Sequence, residues 1–138
     1  MSELVEKLKE VDAKLSDPEL DPELAQQLFD SAPDGIVIVD GAGALQFVNR
    51  QALLMFGYRR RDLYGNPVET LLPEAIRERH ALHRSGFMDE PRVRPMGVGL
   101  NLVAMTRDGR ELPVEINLSP LVTPNGTFVA AFIRRRRA

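Results

Sequence analysis

The sequence contains no cysteine in its 138 residues. That absence excludes disulfide scaffolds, cysteine-ligated zinc, iron–sulfur clusters and thiol nucleophiles. No apolar run approaches the ~20 residues that span a bilayer, and the acidic beginning does not resemble a signal peptide. The length corresponds to one ordinary domain. We therefore expect a single-domain, soluble protein of the cytoplasm.

Lysine is absent beyond residue 14 and arginine is absent before residue 50, so the charge is split along the chain. Residues 1–40 carry three lysines and eleven acidic residues, whereas residues 41–138 carry fifteen arginines and nine acidic residues. The net charge of −2 therefore conceals an acidic first part and a basic remainder. The longest basic run, Arg134–Arg137, lies at the end of the sequence, which argues against a nucleic-acid partner.

The first apolar pattern is a narrow seam on a short helix. Leu4, Leu8, Val11 and Leu15 follow one another at spacings of four, three and four residues, which predicts a helix over residues 3–15. An isolated helix of this length is marginal in water, so it must pack against something. We expect the seam to join two copies of the chain as a homodimer. Folding back onto its own domain is the alternative.

Capping residues and alternation outline the rest of the fold. A second helix is predicted over 22–31, after Asp21 as its cap. Asn49 is expected to cap a further helix that Gly57 ends, and Asp108-Gly109 to reverse a hairpin. Strands are predicted over 35–40, 44–48, 98–106, 111–118 and 127–133, helical segments over 50–56, 60–64, 67–71 and 74–85, and a loop over 87–97. This order predicts an α+β domain with a five-stranded antiparallel sheet, one face of which is covered by the middle helices.

Twelve apolar residues are expected to face the core or a ligand cavity on that covered side. They are Ile36, Ile38, Leu45, Phe47, Leu53, Leu72, Ile76, Leu100, Leu102, Val114, Ile116 and Phe132. Because protein interiors are densely packed, we expect these side chains to fill the core. A cavity that holds a lipid or another small apolar molecule is the alternative.

A series of short motifs from residue 28 to residue 133 resembles a PAS domain in order and spacing. The series consists of Leu28–Ile36, Asn49 with Ala52, Phe56-Gly57-Tyr58, Leu63 with Gly65, Leu72-Pro73, Arg107-Asp108-Gly109 and Pro113-Val114-Glu115. The resemblance implies the PAS fold with the strand order 2-1-5-4-3. It divides the chain into an N-terminal helical extension (1–27) for dimerisation or coupling, a PAS domain (28–133) and a basic tail (134–138).

A PAS domain implies a sensory or interaction module of bacterial signal transduction. Such modules hold a small ligand between the sheet and the helices, or bind nothing and dimerise. They pass their signal through flanking helices to a histidine kinase, a cyclase or a transcription-regulating module, which would be the partner here. The sequence holds no Gly-x-Ser-x-Gly motif, and Gly41-x-Gly43 lacks the rest of a dinucleotide fingerprint. We therefore expect no catalysis. A covalent flavin photocycle is excluded because it needs a cysteine.

Haem is the most specific cofactor that the resemblance implies. The stretch Arg77-Glu78-Arg79-His80 is similar to the one that carries the proximal haem histidine in rhizobial oxygen-sensor PAS domains, and His80 is the matching position. The remaining candidates for lining a pocket are Leu72, Ile76, Met96, Leu100, Leu102 and Ile116. Those oxygen sensors place an arginine where this chain has Leu100, which counts against oxygen sensing of that type. The alternative is that His80, His83 and Arg84 form a basic, solvated helix face.

Overall fold

The computed structural model describes residues 3–4, 20–81, 94–96 and 102–136, with the backbone alone for 94–96. Residues 3 and 4 are helical. The elements that follow are helix α1 (Pro22–Ser31), strands β1 (Gly35–Val39) and β2 (Leu45–Val48), helices α2 (Arg50–Phe56) and α3 (Arg60–Leu63), the 3-10 turns η1 (Val68–Leu71) and η2 (Glu74–Ile76), and strands β3 (Arg94–Met96), β4 (Val103–Met105), β5 (Glu111–Thr123) and β6 (Gly126–Arg135).

The helix ends follow from their capping residues. The carboxylate of Asp21 accepts a 3.1 Å hydrogen bond from the Leu24 N–H, and a proline occupies the first position of α1. Asn49 caps α2, and Gly57 ends that helix at φ +80°, with its N–H donating to the Leu53 carbonyl oxygen at 2.8 Å. Of the helix predicted over 74–85, the first turn is 3-10, residues 77–81 are α-helical, and the rest lies outside the described residues.

The sheet is antiparallel throughout, in the order β2-β1-β6-β5-β3. Strand β4 also pairs with β5, opposite Glu111–Pro113, whereas β3 pairs opposite Ile116–Leu118. Strands β3 and β4 therefore both lie along the same edge of β5, one after the other, and together take the place of a single edge strand. With that edge counted once, the sheet has five positions in the order expected of a PAS fold, so the predicted fold class is confirmed.

The loop predicted over 87–97 is wrong at its end, because residues 94–96 form β3. Pro95 favoured the loop, but a proline is tolerated in an edge strand, where its missing N–H removes no ladder bond. The strand predicted over 98–106 is observed as β4 alone; residues 98–101 lie outside the described part of the chain. Strand β6 continues to Arg135, and the Arg134 Nε donates to Asp34 Oδ1 at 3.1 Å.

The hydrophobic core lies between the sheet and the segment α2–η1. It contains buried residues of β1, β2, β4, β5 and β6 and, from the helical side, Ala52, Phe56, Leu63 and Leu71. Leu45, Leu53, Leu102, Val114 and Ile116 belong to this core or pack against it, as predicted. One face of the sheet is therefore covered by the middle helices.

Five of the twelve expected core residues lie elsewhere. Ile36, Ile38, Phe47 and Phe132 belong to the opposite face of the sheet, where Ile36 is nevertheless buried, and Ile76 is 39% exposed in η2. The alternation of Phe47 with Leu45 predicts that Phe47 faces the core. A β-bulge breaks that alternation: Ile38 pairs with Phe47, but Val39 pairs with Leu45, so Gln46 is an extra residue. Both Leu45 and Val48 then reach the core, and Phe47 is left 57% exposed.

Candidate functional site

Asn49 is fully buried, and both ends of its amide group are hydrogen-bonded. Its Oδ1 accepts from the backbone N–H of Ile36 at 2.8 Å and of Ala52 at 3.0 Å. Its Nδ2 donates to the carbonyl oxygens of Phe29 at 2.9 Å and Asp34 at 3.0 Å. One side chain therefore joins the end of α1, the start of β1 and the start of α2.

Strand β1 and helix α2 meet almost backbone to backbone beside this amide. A Cβ added to Gly35 would lie 3.3 Å from the Cα of Ala52, closer than ordinary van der Waals contact. Ala52 itself is fully buried. The spacing of Asn49 and Ala52 thus has a physical reason: the first residue caps the helix, and the second, one turn later, is small enough to let the strand approach.

A second polar cluster holds α1 from the outside. Asp30 Oδ1 accepts from the Arg50 N–H at 3.0 Å and from Arg60 Nη2 at 2.8 Å, and Asp30 Oδ2 accepts from Gln26 Nε2 at 2.8 Å. Arg60 Nε also donates to the Val48 carbonyl oxygen at 3.1 Å. Burial raises the pKa of Asp30, but the hydrogen bonds from Gln26 and Arg50 and the charge of Arg60 together outweigh burial and lower it.

Helix α1 is attached by these polar contacts and not by burial. None of its residues is buried, and Leu24 and Leu28 are 54% and 63% exposed. Together with Leu20, 56% exposed just ahead of the helix, they form a row at a spacing of four. We call Leu20, Leu24 and Leu28 the leucine row. It leaves an apolar stripe uncovered within the described residues.

A cavity of about 400 Å³ opens between α1, β2 and α3. Phe29, Phe47 and Tyr64 contribute aromatic rings to its lining, and Asp30 and Arg60 contribute charge. It lies on the side of β2 where the bulge places Phe47, away from the interior pocket predicted between the sheet and the helices. No motif in the sequence predicts this cavity. The arginine run Arg59–Arg61 is the one sequence feature that points toward it.

The predicted interior site is only partly described. His80 Nδ1 lies 3.0 Å from Glu69 Oε2; the carboxylate is buried in η1, and a third of the imidazole side chain is exposed. Leu72 is half-buried, and Leu102 and Ile116 pack against the core, whereas Ile76 is exposed. The side chain of Met96, and Leu100, His83 and Arg84 as a whole, lie outside the described residues. The structure therefore joins His80 to the buried carboxylate of Glu69, whereas it leaves both His80 and Ile76 about a third or more exposed.

The other predicted site residues belong to a turn or to the proposed dimer seam. Asp108 and Gly109 form the β4–β5 turn, with Gly109 at φ +85° and the Thr106 hydroxyl donating to the Asp108 carboxylate. In the proposed dimer seam, Leu4 is 62% exposed, and Leu8, Val11 and Leu15 lie outside the described residues.

The described ranges contain neither a metal-binding cluster nor a membrane-spanning helix. No group of three or more histidine, aspartate or glutamate side chains in them is arranged to hold a metal ion. None of the helices in those same ranges is long and apolar enough to cross a membrane.

Comparison with known proteins gives a consistent result. The family model described as "PAS fold" matches residues 23–136. The sensor protein FixL of Bradyrhizobium diazoefficiens is 24% identical over 79% of this chain and 22% of its own length. The sensory histidine kinase/phosphatase NtrB of Azospirillum brasilense is 27% identical over 72% of this chain and 27% of its own. The chain thus spans about a quarter of these curated relatives.

Solved structures agree on the fold. The crystal structure of the PAS domain of an HTR-like protein from Haloarcula marismortui superimposes with a TM-score of 0.66. The match covers 99% of this chain and the whole of that one, at 18% identity. An identity this low carries information about the fold and none about the ligand.

Proposed function

The chain belongs to the PAS-fold family, and on that premise we propose that it is a non-catalytic sensory and dimerisation module of bacterial signal transduction. Its similarity to FixL and NtrB supports a role within sensor proteins. In this proposal the module works in the cytoplasm as a homodimer, and an output module or a partner signalling protein reads its state.

The leucine row is the observation that carries the proposal. A ten-residue helix with no buried residue is marginal unless its apolar side packs against something. In sequence, the row comes after the seam of Leu4, Leu8, Val11 and Leu15. Two copies that pack these stripes together would bury both, and the Asn49 and Asp30 contacts would connect the packed helices to the sheet.

Light scattering tests the dimer. We expect the wild-type protein to be a dimer, and the double variant Leu24→Asp, Leu28→Asp to be a monomer with unchanged circular dichroism. Leu8→Asp, Val11→Asp should act in the same way. Leu54→Asp is the matched control, since Leu54 is 68% exposed on α2 and lies outside the proposed interface. A wild-type protein that stays monomeric at every concentration would contradict the proposal.

The packing of the described core supports the form of this module in which nothing is bound between sheet and helices. Leu45, Leu63 and Val37 are fully buried, and Phe56 and Val114 are 1% exposed, which indicates a filled interior in the described part of the chain. The competing form holds a small apolar ligand there. Native mass spectrometry separates the two: a protein mass without an adduct supports the ligand-free interaction module, and a stoichiometric adduct supports the ligand.

A haem-binding gas or redox sensor is the second candidate, and the Glu69–His80 contact favours it. A carboxylate oxygen of Glu69 can only accept, so in a neutral His80 imidazole Nδ1 donates and Nε2 keeps the lone pair that an iron ligand needs. Metal-binding histidines commonly have a carboxylate on the second nitrogen in this way. When bound, haem would supply the iron that takes up a gas or an electron. His80 would hold it, with Leu72, Leu102 and Ile116 as the described apolar lining.

Absorbance spectroscopy after haem reconstitution tests this candidate. The haem candidate predicts a Soret band for the wild type, its loss in His80→Ala and its retention in His83→Ala. In Glu69→Gln the band should persist with weaker haem retention, because the amide orients the imidazole less strongly than a carboxylate does. A wild-type protein that shows no Soret band would remove haem and leave the dimeric module untouched.

A further inference from the structure

The cavity between α1, β2 and α3 has the size of a ligand site. Its volume of about 400 Å³ lies within the range of roughly 300–1,000 Å³ that small-molecule pockets occupy. Each of its three walls comes from a different element: Phe29 from α1, Phe47 from β2 and Arg60 from α3. Of its eight lining residues only Val48 belongs to the hydrophobic core, so the cavity is separate from the interior pocket of the preceding proposal.

Arg60 is held in place and still has donors to offer. Its Nε donates to the Val48 carbonyl oxygen at 3.1 Å, and its Nη2 donates to Asp30 at 2.8 Å. A guanidinium has five N–H donors, so these two bonds fix its plane and leave the others for a further acceptor. The side chain is 54% exposed, which keeps those donors accessible from the cavity.

The hydrogen-bonding groups that remain open in the cavity favour an anion. Three of the acceptor positions on Asp30 are occupied by the Gln26, Arg50 and Arg60 donors, so this carboxylate has little capacity left for a cationic ligand. The lining itself holds one cation, Arg60, and one carboxylate, Asp30, and the chain neighbours Arg59 and Arg61 are exposed. An approaching carboxylate therefore meets a preoriented guanidinium that still has donors to offer, the geometry that binds carboxylates well.

Three of the eight lining residues are aromatic. Phe47 is 57% exposed and Tyr64 is 67% exposed, although both are large side chains, and Phe29 is half-buried beside them. Exposed rings of this kind stack on flat ligands, in offset or edge-to-face contact. A ligand with a planar ring would cover apolar surface that the fold leaves open.

We propose that this cavity binds a small planar organic acid, with its carboxylate on Arg60 and its ring against Phe47 and Tyr64. This inference goes beyond the proposed dimeric module and does not depend on it. The ligand contacts both α1 and α3, so it adds to the few contacts that hold α1. Because a ligand stabilises the conformation that binds it, binding also slows hydrogen exchange in α1.

The test is an NMR titration of the intact chain with benzoate. We expect saturable shifts of the backbone amides of Phe47, Arg60 and Tyr64 with a dissociation constant on the order of 1 mM, as befits a small ligand in a half-open site. Acetate, which lacks the ring, and benzyl alcohol, which lacks the charge, should each bind at least about tenfold more weakly. Slower exchange of α1 amides should accompany saturation by benzoate.

Two variants on neighbouring residues make the test specific. Arg60→Gln should weaken benzoate binding about tenfold or more, whereas Arg61→Gln, which removes an exposed arginine outside the lining, should change it by less than about twofold. Tyr64→Ala provides a second variant, since this exposed side chain can be removed without unfolding the protein, and it should also weaken binding. The absence of saturable shifts up to about 20 mM, or equal binding by Arg60→Gln, would overturn the proposal.

Discussion

The two sides of helix α1 are attached to the rest of the molecule in opposite ways. Toward the sheet, its last turn meets Asn49, a fully buried amide whose four hydrogen bonds join three elements. Away from the sheet, the leucine row is more than half exposed. We call the first side, where every polar group of the Asn49 amide is buried and hydrogen-bonded, the closed side. The second side, which carries the exposed leucine row, is the open side.

This contrast indicates how a rigid domain can carry a responsive flanking helix. The Asn49 contacts and the approach of Gly35 to Ala52 fix the C-terminal end of α1. They make no use of the earlier turns of that helix. The rest of α1 is held by partly exposed polar contacts around Asp30, which contribute little because water competes for them. Variants on the closed side should therefore reduce the stability of the whole domain, and variants on the open side should leave it nearly unchanged.

Removal of the buried amide should have the largest effect. Asn49→Ala takes away the α2 cap and leaves the N–H of Ile36 and the carbonyl oxygens of Phe29 and Asp34 without their partner. Each buried group left unpaired costs about 1–3 kcal/mol, and the lost cap costs about 1 kcal/mol. We expect the free energy of unfolding to fall by about 3 kcal/mol or more in urea denaturation.

Asn117→Ala is the control for that variant. Asn117 is exposed on β5, so its replacement should change the free energy of unfolding by less than about 0.5 kcal/mol. Equal effects of the two variants would mean that Asn49 is no more than one surface amide among others, and the contrast between the two sides of α1 would fail.

The close approach of β1 and α2 should have the next largest effect. Ala52→Leu inserts three carbons where Gly35 already lies within contact distance. Overpacking of a closed core costs about 1–3 kcal/mol, and a backbone neighbour can yield less than a side chain can. Thermal unfolding should show a lower Tm, while Leu54→Ala, on the exposed side of the same helix, should leave the Tm within about a degree or two.

The closed side was largely predictable because its signals are local. Asn49 and Gly57 bracket one helix, and an Asp-Gly pair marks a hairpin; each of these determines its own neighbourhood whatever the rest of the chain does. The partners of the Asn49 amide were not predictable. Phe29 lies twenty residues away in sequence, and its carbonyl oxygen meets Asn49 only once α1 and β1 are placed.

The two faces of the sheet could not be assigned from sequence, for a definite physical reason. Strand β1 reads Gly-Ile-Val-Ile-Val, so both of its faces are apolar, and alternation cannot decide which one meets the helices. The bulge at Gln46 then moved Phe47 outward, and with it the floor of the α1–β2–α3 cavity. The cavity thus depends on a one-residue irregularity that carries no compositional signal.

The ionised form of Asp30 should make a smaller contribution to the free energy of unfolding, and this contribution should be lost at low pH. Its folded-state pKa is lowered, so its ionised form stabilises the fold above the unfolded-state pKa of about 3.9, and this contribution is lost as the pH falls through the lower folded value. Asp30→Asn should therefore reduce the free energy of unfolding by less than about 1 kcal/mol at pH 7, because the pair with Arg60 is partly exposed. Below about pH 3 the variant and the wild type should converge.

A double-mutant cycle assigns that effect to its partner. Asp30→Asn and Arg60→Gln, measured singly and together at pH 7, should give a coupling energy of about 0.5 kcal/mol. The same cycle with Arg61→Gln in place of Arg60→Gln should give none. A coupling energy well above 1 kcal/mol would mean that the contacts around Asp30 contribute as much to the free energy of unfolding as the contacts of Asn49 do.

A substitution in the leucine row should have the smallest effect on the free energy of unfolding of the monomer. The dependence of that effect on protein concentration tests whether two copies associate. Leu28→Ser replaces a side chain that is 63% exposed, so the free energy of unfolding of the monomer should change by less than about 0.5 kcal/mol. If two copies pack their leucine rows together, the wild type gains stability with protein concentration and the variant gains less, because association stabilises only the folded state. Urea denaturation at two concentrations, about a hundredfold apart, separates these contributions. A loss that is large and equal at both concentrations would show that the row is buried within a single chain, and the two sides of α1 would then not differ.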